Sequence, residues 1–136
     1  MNSPETLLAL DVGTKRIGMA LADGNVRIAR PLGFLEVDGS EIEEIVKACG
    51  LYQPSKIIVG YPRNQSGEAT KQTALVESFC EQLRQAEIPP IVYQDESLTS
   101  VLAEDKLKAV KKPYNKGDID AVAAALILTD YIESHL

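Results

Sequence analysis

The sequence predicts an α/β domain with a mixed five-stranded sheet and the element order βββαβαβαα, and three observations lead there. The chain opens with three short apolar runs joined by brief polar turns, which reads as an antiparallel meander. After about residue 40 the apolar residues take the helical spacing i, i+3, i+4. Beyond that, short apolar runs alternate with helical stripes, the pattern of βα units whose helices cover the faces of a sheet. At 136 residues the chain fits one domain, 1–136, with no repeat, low-complexity tract or interdomain linker.

Each element has its own warrant. Residues 6–11 (Thr-Leu-Leu-Ala-Leu-Asp) form an apolar strand ending in a carboxylate, and 17–22 (Ile-Gly-Met-Ala-Leu-Ala) form a second, closed by the turn signal Asp23-Gly24. A third strand runs from Val26 to Val37, broken by Pro31 and Gly33. Ile42, Ile45, Val46 and Cys49 make one helical stripe, with Ser40 as N-cap and Gly50 near the end. Residues 56–60 are a fourth strand, followed by a polar loop from Tyr61 to Gly67. Val76, Phe79, Cys80 and Leu83 mark the next helix, stopped by Pro89-Pro90. Ile91-Val92-Tyr93 is a fifth strand ending in Gln94-Asp95-Glu96. A helix from about Leu98 to Val110 leads into a basic, mobile loop, Lys111 to Gly117. The last helix carries a stripe of Ile119, Val122, Ala123, Leu126 and Ile127.

Composition narrows the function classes. Hydrophobic residues are 45% and charged residues 25%, an ordinary globular balance that excludes a disordered acidic tail, a collagen repeat or a coiled-coil rod. No apolar run approaches the roughly 20 residues of a membrane span, and the first residues lack signal-peptide order. A cytoplasmic protein without membrane contact is expected. Cys49 and Cys80 cannot build a disulfide framework and read as buried free thiols. The one histidine, His135, is penultimate, where termini fray, so a Ser-His-Asp triad or a His/Cys zinc site is hard to build. Chemistry here must run on carboxylates, lysines or hydroxyls. A net charge of −6 argues against tight non-specific nucleic-acid binding, yet leaves room for a local basic strip.

Three acids stand where chemistry would need them. Asp11 ends the first strand, and open α/β sheets place ligands at the carboxyl ends of strands. Glu96 lies just past the fifth strand, beside Asp95, and Asp120 lies in the first turn of the last helix. If the helix packs beside strands one and five, the three converge. Hard oxygen ligands suit Mg²⁺ or Mn²⁺, and such a cluster can hold two ions about 4 Å apart to activate a water against a phosphodiester. Bland readings stand beside this. Asp118 and Asp120 suit a helix start, and Asp95-Glu96 a solvated turn. Asp11 is harder to dismiss, because a charge ending a buried strand must be paired, hydrogen-bonded or metal-bound.

Two loops and one basic stretch add phosphate chemistry. In Asp11-Val-Gly-Thr-Lys-Arg-Ile-Gly18, Gly13 permits close backbone approach, while Thr14 and Lys15 offer a hydroxyl and a cation; a plain hairpin would look the same. Gly60-Tyr-Pro-Arg-Asn-Gln-Ser-Gly67 opens at the same edge, with Arg63 and Asn64 able to reach phosphates. Lys106, Lys108, Lys111, Lys112 and Lys116, with Tyr114 among them, could bind a strand by charge and stacking, or form a solvated face.

Taken together, Asp11-Val-Gly-Thr-Lys-Arg-Ile-Gly, Val59-Gly-Tyr-Pro-Arg-Asn-x-x-Gly67, Asp95-Glu-Ser-Leu-Thr99 and Ile119-Asp-x-x-Ala-Ala124 resemble, in order and spacing, the motifs of the YqgF (RuvX) family. Its members are small bacterial proteins with a ribonuclease H-like fold, related to Holliday-junction resolvases and regarded as nucleases that process the 5′ end of pre-16S rRNA. The resemblance covers nearly the whole chain. It implies a metal-dependent nuclease with Asp11, Glu96 and Asp120 as catalytic, metal-binding acids for Mg²⁺ or Mn²⁺. It also implies that Lys15, Arg16, Asn64 and Thr99 line a groove for nucleic acid, pre-rRNA first and branched DNA second, in a monomer or homodimer. The chain departs from the family at Ser97, where arginine is usual, at Ser100, where threonine is usual, and at Tyr61, where leucine is usual. The lost arginine would have partnered a phosphate or carboxylate. Two other readings stay open: a nucleotide-phosphate-binding module, because Asp-x-Gly-Thr also resembles the first phosphate loop of the actin and sugar-kinase superfamily, and a ribosome-assembly or transcription-associated RNA-binding factor with little turnover.

Overall fold

A computed structural model describes residues 5–23, 28–62, 70–96, 108–109 and 115–135, with the Glu96 side chain excepted. Five strands, β1 (Thr6–Val12), β2 (Arg16–Asp23), β3 (Ile28–Glu36), β4 (Lys56–Pro62) and β5 (Ile91–Glu96), form one sheet in the order β3-β2-β1-β4-β5. The first three pair antiparallel, as the short turns require, whereas β4 and β5 join β1 in parallel through helical crossovers. The described helices are α1 (Glu41–Tyr52), α2 (Lys71–Leu83) and α3 (Lys116–His135). The carboxyl ends of β1, β4 and β5 therefore open on one edge.

Strand alternation splits the core in two. Leu8, Leu10, Val12, Ile57 and Val59 face α1 and α2, packing on Ile45, Cys49, Val76, Cys80 and Leu83. Leu7, Ala9, Ala20, Ala22 and Ile58 face α3, packing on Ala124, Ala125, Ile127, Leu128 and Tyr131. Both faces of β1 are buried, which explains its uninterrupted apolar run. Five of the eleven buried residues of this second layer are alanine, so α3 can lie close to the sheet.

Several expectations shift in detail. Pro31 and Gly33 do not break β3: the register jumps between Met19 and Ala20, and Gly33, at φ 121°, absorbs the extra residue as a bulge on an edge strand. Ser40 holds the N-cap position of α1, but its hydroxyl donates to Asp38 Oδ1 at 2.6 Å; the Glu41 carboxylate accepts from Asp38 and Gly39 N–H at 3.1 and 2.8 Å. Ser40's two donors also hold the Asp38 carboxyl below its usual pKa. Gly50 is inside the helix, which ends at Gln53 in the left-handed region, φ 51°. Tyr61 and Pro62 belong to β4, and Glu96 is the last residue of β5, not a residue beyond it.

Lys116 and Gly117 begin α3 instead of ending a loop. Asn115 caps it: Asn115 Oδ1 accepts from Asp118 N–H at 2.9 Å, and Asp118 Oδ2 accepts from Asn115 N–H at 3.0 Å. That earlier start moves Asp120 from the first turn to the second. Of the expected stripe on α3, Ala123 and Ile127 are fully buried and Ile119, Val122 and Leu126 only half-buried, because the buried face widens to take in Ala121, Ala124, Ala125 and Leu128. His135 does not fray; it stacks on Tyr131 with ring centroids 4.4 Å apart. Most of the expected helix over 98–110, and Lys106, Lys111, Lys112 and Tyr114 of the basic stretch, lie outside the described residues; Lys108 and Lys116 are exposed. Among the described residues no helix is long and apolar enough to cross a membrane.

Cys49 and Cys80 are buried free thiols, as expected. Burial pushes both thiols above their ordinary value of 9.0, and burial beside Cys80 likewise raises the Tyr93 hydroxyl. A raised pKa leaves stability intact below the unfolded value and erodes it as pH climbs, because the unfolded chain then releases protons that the folded one keeps. The urea midpoint should accordingly hold steady to about pH 8.5 and fall above pH 9.0. Cys80→Ala, though less stable overall, should show a shallower alkaline fall; an unchanged slope would contradict this account.

Candidate active site

The site is built around a missing side chain. Gly18 pairs with Asp11 across the β1–β2 hairpin, and α3 runs over Gly18 so closely that a β-carbon there would lie 1.9 Å from the Asp120 carbonyl oxygen. No main chain tolerates such an approach, so only glycine admits α3 at this point. The Asp120 main chain thus touches the residue opposite Asp11. A second glycine completes the seat: a β-carbon on Gly117 would lie 2.2 Å from the ring of Phe34, the β3 partner of Gly18.

Strand parity sorts the other groups. Asp11 shares the α3 face of β1 with Leu7 and Ala9, and Arg16 shares the α3 face of β2 with Gly18 and Ala20. Arg16 Nε donates to Asp120 Oδ2 at 2.7 Å, with the two side chains 28% and 23% exposed. At that exposure the pair contributes on the order of 0.5–1 kcal/mol after solvent screening. Glu96 ends β5 in register with Pro62, and position 96 has the strand parity of Val92, which packs on the α3 layer. Two strand spacings, roughly 10 Å, separate β5 from β1. Asp95 has the opposite parity, beside Tyr61 in register, and is exposed.

The first turn of α2 pins the edge from the other face. Gln72 Nε2 donates to the Val12 carbonyl at 2.7 Å, one residue beyond Asp11. Thr73, fully buried, donates through its hydroxyl to the Pro62 carbonyl at 2.5 Å and accepts from Thr70 N–H at 3.1 Å. Thr70 Oγ1 in turn accepts from Thr73 N–H, closing a capping box. Tyr61, at the position where the family this chain resembles usually has leucine, donates to the Glu77 carboxylate and lies tilted on Tyr93 at 4.7 Å, tying the end of β4 to α2.

Of the residues singled out from sequence, Asp11, Arg16 and Asp120 are drawn around Gly18, while Lys15 is exposed in the turn before β2. Asn64 and Thr99 lie outside the described residues, as do Ser97 and Ser100. Gly18, Gly117, Gln72 and the Thr70–Thr73 pair were not foreseen. An isolated glycine in a strand is itself a sign of close backbone approach, and Thr-x-x-Thr has the capping-box spacing. Among the described residues no group of three or more His, Cys, Asp or Glu gathers to hold a metal ion. The donors beside Gly18 are nonetheless carboxylates, hard oxygen ligands that suit Mg²⁺ or Mn²⁺ and not zinc.

A 3-2-1-4-5 mixed sheet with helices on both faces and acids at its carboxyl edge is the ribonuclease H-like fold of the resolvases. The yeast mitochondrial Holliday junction resolvase Ydc2 superposes with a TM-score of 0.58 at 14% identity, over 97% of this chain and 79% of that one. T. thermophilus RuvC in complex with a Holliday junction substrate gives 0.55 at 15% identity, over 95% and 94%. Residues 5–134 match the family model described as RuvX, Holliday junction resolvase, and the chain belongs to that family. Relatives that carry the name "Putative pre-16S rRNA nuclease" include those of Chloroflexus aurantiacus, 39% identical over 96% of this chain and 88% of theirs, and Rickettsia typhi, 38% over 91% and 82%. A Roseiflexus relative of the same name is 34% identical over 98% of this chain and 97% of its own.

Gly18→Ala tests the seat. The added methyl meets backbone, which cannot rotate away, so urea denaturation should register a loss of about 1–3 kcal/mol. A fully stable Gly18→Ala protein would show that α3 does not depend on this contact.

Proposed function

We propose that this chain is a divalent-metal-dependent nuclease that cleaves precursor 16S rRNA during maturation of its 5′ end. The observation that carries the reading is the contact of α3 with Gly18, which sets Asp120 against the strand partner of Asp11. Asp11, Glu96 and Asp120 are the acids assigned to hold the ion. When bound, Mg²⁺ or Mn²⁺ supplies Lewis-acid stabilisation to the scissile phosphodiester. Lys15, exposed beside the edge, offers charge to a backbone phosphate. Arg16, Asn64 and Thr99 are assigned to the strand's path. Gln72 and Thr73 keep the ends of β1 and β4 still while substrate binds. A role in rRNA maturation places the protein in the cytoplasm.

The family description and the resolvase fold favour one further reading, cleavage of branched DNA. One experiment weighs both. Precursor 16S rRNA and a four-way DNA junction are incubated with the full chain and Mn²⁺, beside Asp11→Asn and Asp120→Asn. The wild type should cut the RNA, and each variant should lose more than about 100-fold of that rate with its fold intact by circular dichroism. Junction cleavage without RNA cleavage would replace the substrate, and undiminished cleavage by Asp11→Asn would remove the assignment altogether.

A further inference from the structure

The Arg16–Asp120 pair presents a conflict that rests on the metal-dependent reading above. One oxygen of an acid assigned to a cation is already held by a guanidinium at 2.7 Å. A divalent ion and an arginine placed on the same carboxylate repel each other. We propose that Arg16 is an exchangeable counter-ion: it neutralises Asp120 in the ion-free protein and passes to a substrate phosphate when a divalent cation occupies the acids.

The geometry suits exchange better than permanent anchoring. The contact runs through Nε, and among the described residues the Arg16 side chain makes no other hydrogen bond. The paired Nη groups, the fork that matches phosphate, are therefore not engaged within the described protein. Both side chains keep about a quarter of their surface in water, at 28% and 23%, so the pair is easily separated. Gly18 separates Arg16 from the register of Asp11 by two positions on one sheet face, which sets the guanidinium diagonally beside the other acid. In a chain of net charge −6, releasing this cation only when the acids are neutralised would make RNA binding wait for metal. By linkage, RNA must then tighten metal binding by the same factor.

Calorimetric titration of Mn²⁺ into the full chain tests the exchange, with Asp120→Asn marking the site. Arg16→Ala and Arg16→Gln should bind Mn²⁺ about 3- to 5-fold tighter than wild type, because the competitor is gone. Lys15→Ala, which removes the same charge one residue away, should change the affinity by well under 2-fold. A short 2′-O-methyl oligoribonucleotide should bind the wild type more tightly with Mn²⁺ than without, and Arg16→Ala should lose that enhancement. Unchanged or weaker Mn²⁺ binding by both Arg16 variants would overturn the proposal and leave Arg16 as a residue that positions Asp120. If wild type and Asp120→Asn titrate alike, the metal site itself fails, and the exchange with it.

Discussion

The absence of one β-carbon governs the candidate functional edge of this protein. Helix α3 lies against Gly18 at a distance no side chain permits, and the carbonyl it brings there belongs to Asp120. Because Gly18 pairs with Asp11, a single steric allowance joins residues more than a hundred positions apart. The surrounding layer agrees with it. Ala9, Ala20 and Ala22 on the sheet meet Ala124 and Ala125 on the helix, so small side chains continue the close approach along α3. Gly117 against Phe34 extends it toward the helix start, where Asn115 and Asp118 exchange hydrogen bonds and end the helix cleanly. Each of these residues would be unremarkable alone, and together they set where Asp120 can be.

Much of this architecture could be read from the chain. The five strands, their mixed pairing and the free thiols follow from apolar runs, turn lengths and helical spacing, and the structure bears them out. Element ends were less legible, because tertiary contacts decide them. Pro31 looks like a strand breaker until an edge bulge absorbs it, and Gly50 looks like a helix end until Gln53 takes the left-handed turn. The start of α3 is not legible locally, because Asn115-Lys-Gly has loop composition and its cap depends on Asp118 reaching back. At the site, Asp11 was conspicuous as a charge ending a buried strand. Asp120 was less so, since an acid near a helix start has an ordinary electrostatic use. Its pairing with Arg16 spans 104 residues and has no local sequence signature.

Charge explains why such a site sits comfortably in an acidic protein. Asp11 and Asp120 are drawn to one edge around Gly18, and like charges brought near each other favour an opposite charge beside them. Arg16 meets that need from the neighbouring strand, at an exposure that keeps the interaction modest. An ion pair buried more deeply would lock Asp120 against any exchange. One with long, fully exposed side chains would hardly order it. The intermediate exposure therefore gives an ordered yet yielding carboxylate.

The two faces of the sheet divide the work. Under α1 and α2 lie large side chains, Leu8, Leu10, Ile45, Ile57, Val76 and Leu83, whose burial stabilises that layer. From the same side Gln72 and Thr73 clamp the carbonyls of Val12 and Pro62, so rigidity reaches the functional edge through the backbone. Under α3 the sheet is lined by smaller residues, and what it gains is proximity. A helix resting on leucines would stand farther from the sheet and carry Asp120 away from Asp11. The stable face can thus tolerate volume-conserving exchange among its hydrophobic residues, whereas the α3 face is bound by backbone distance at Gly18, which admits no larger residue.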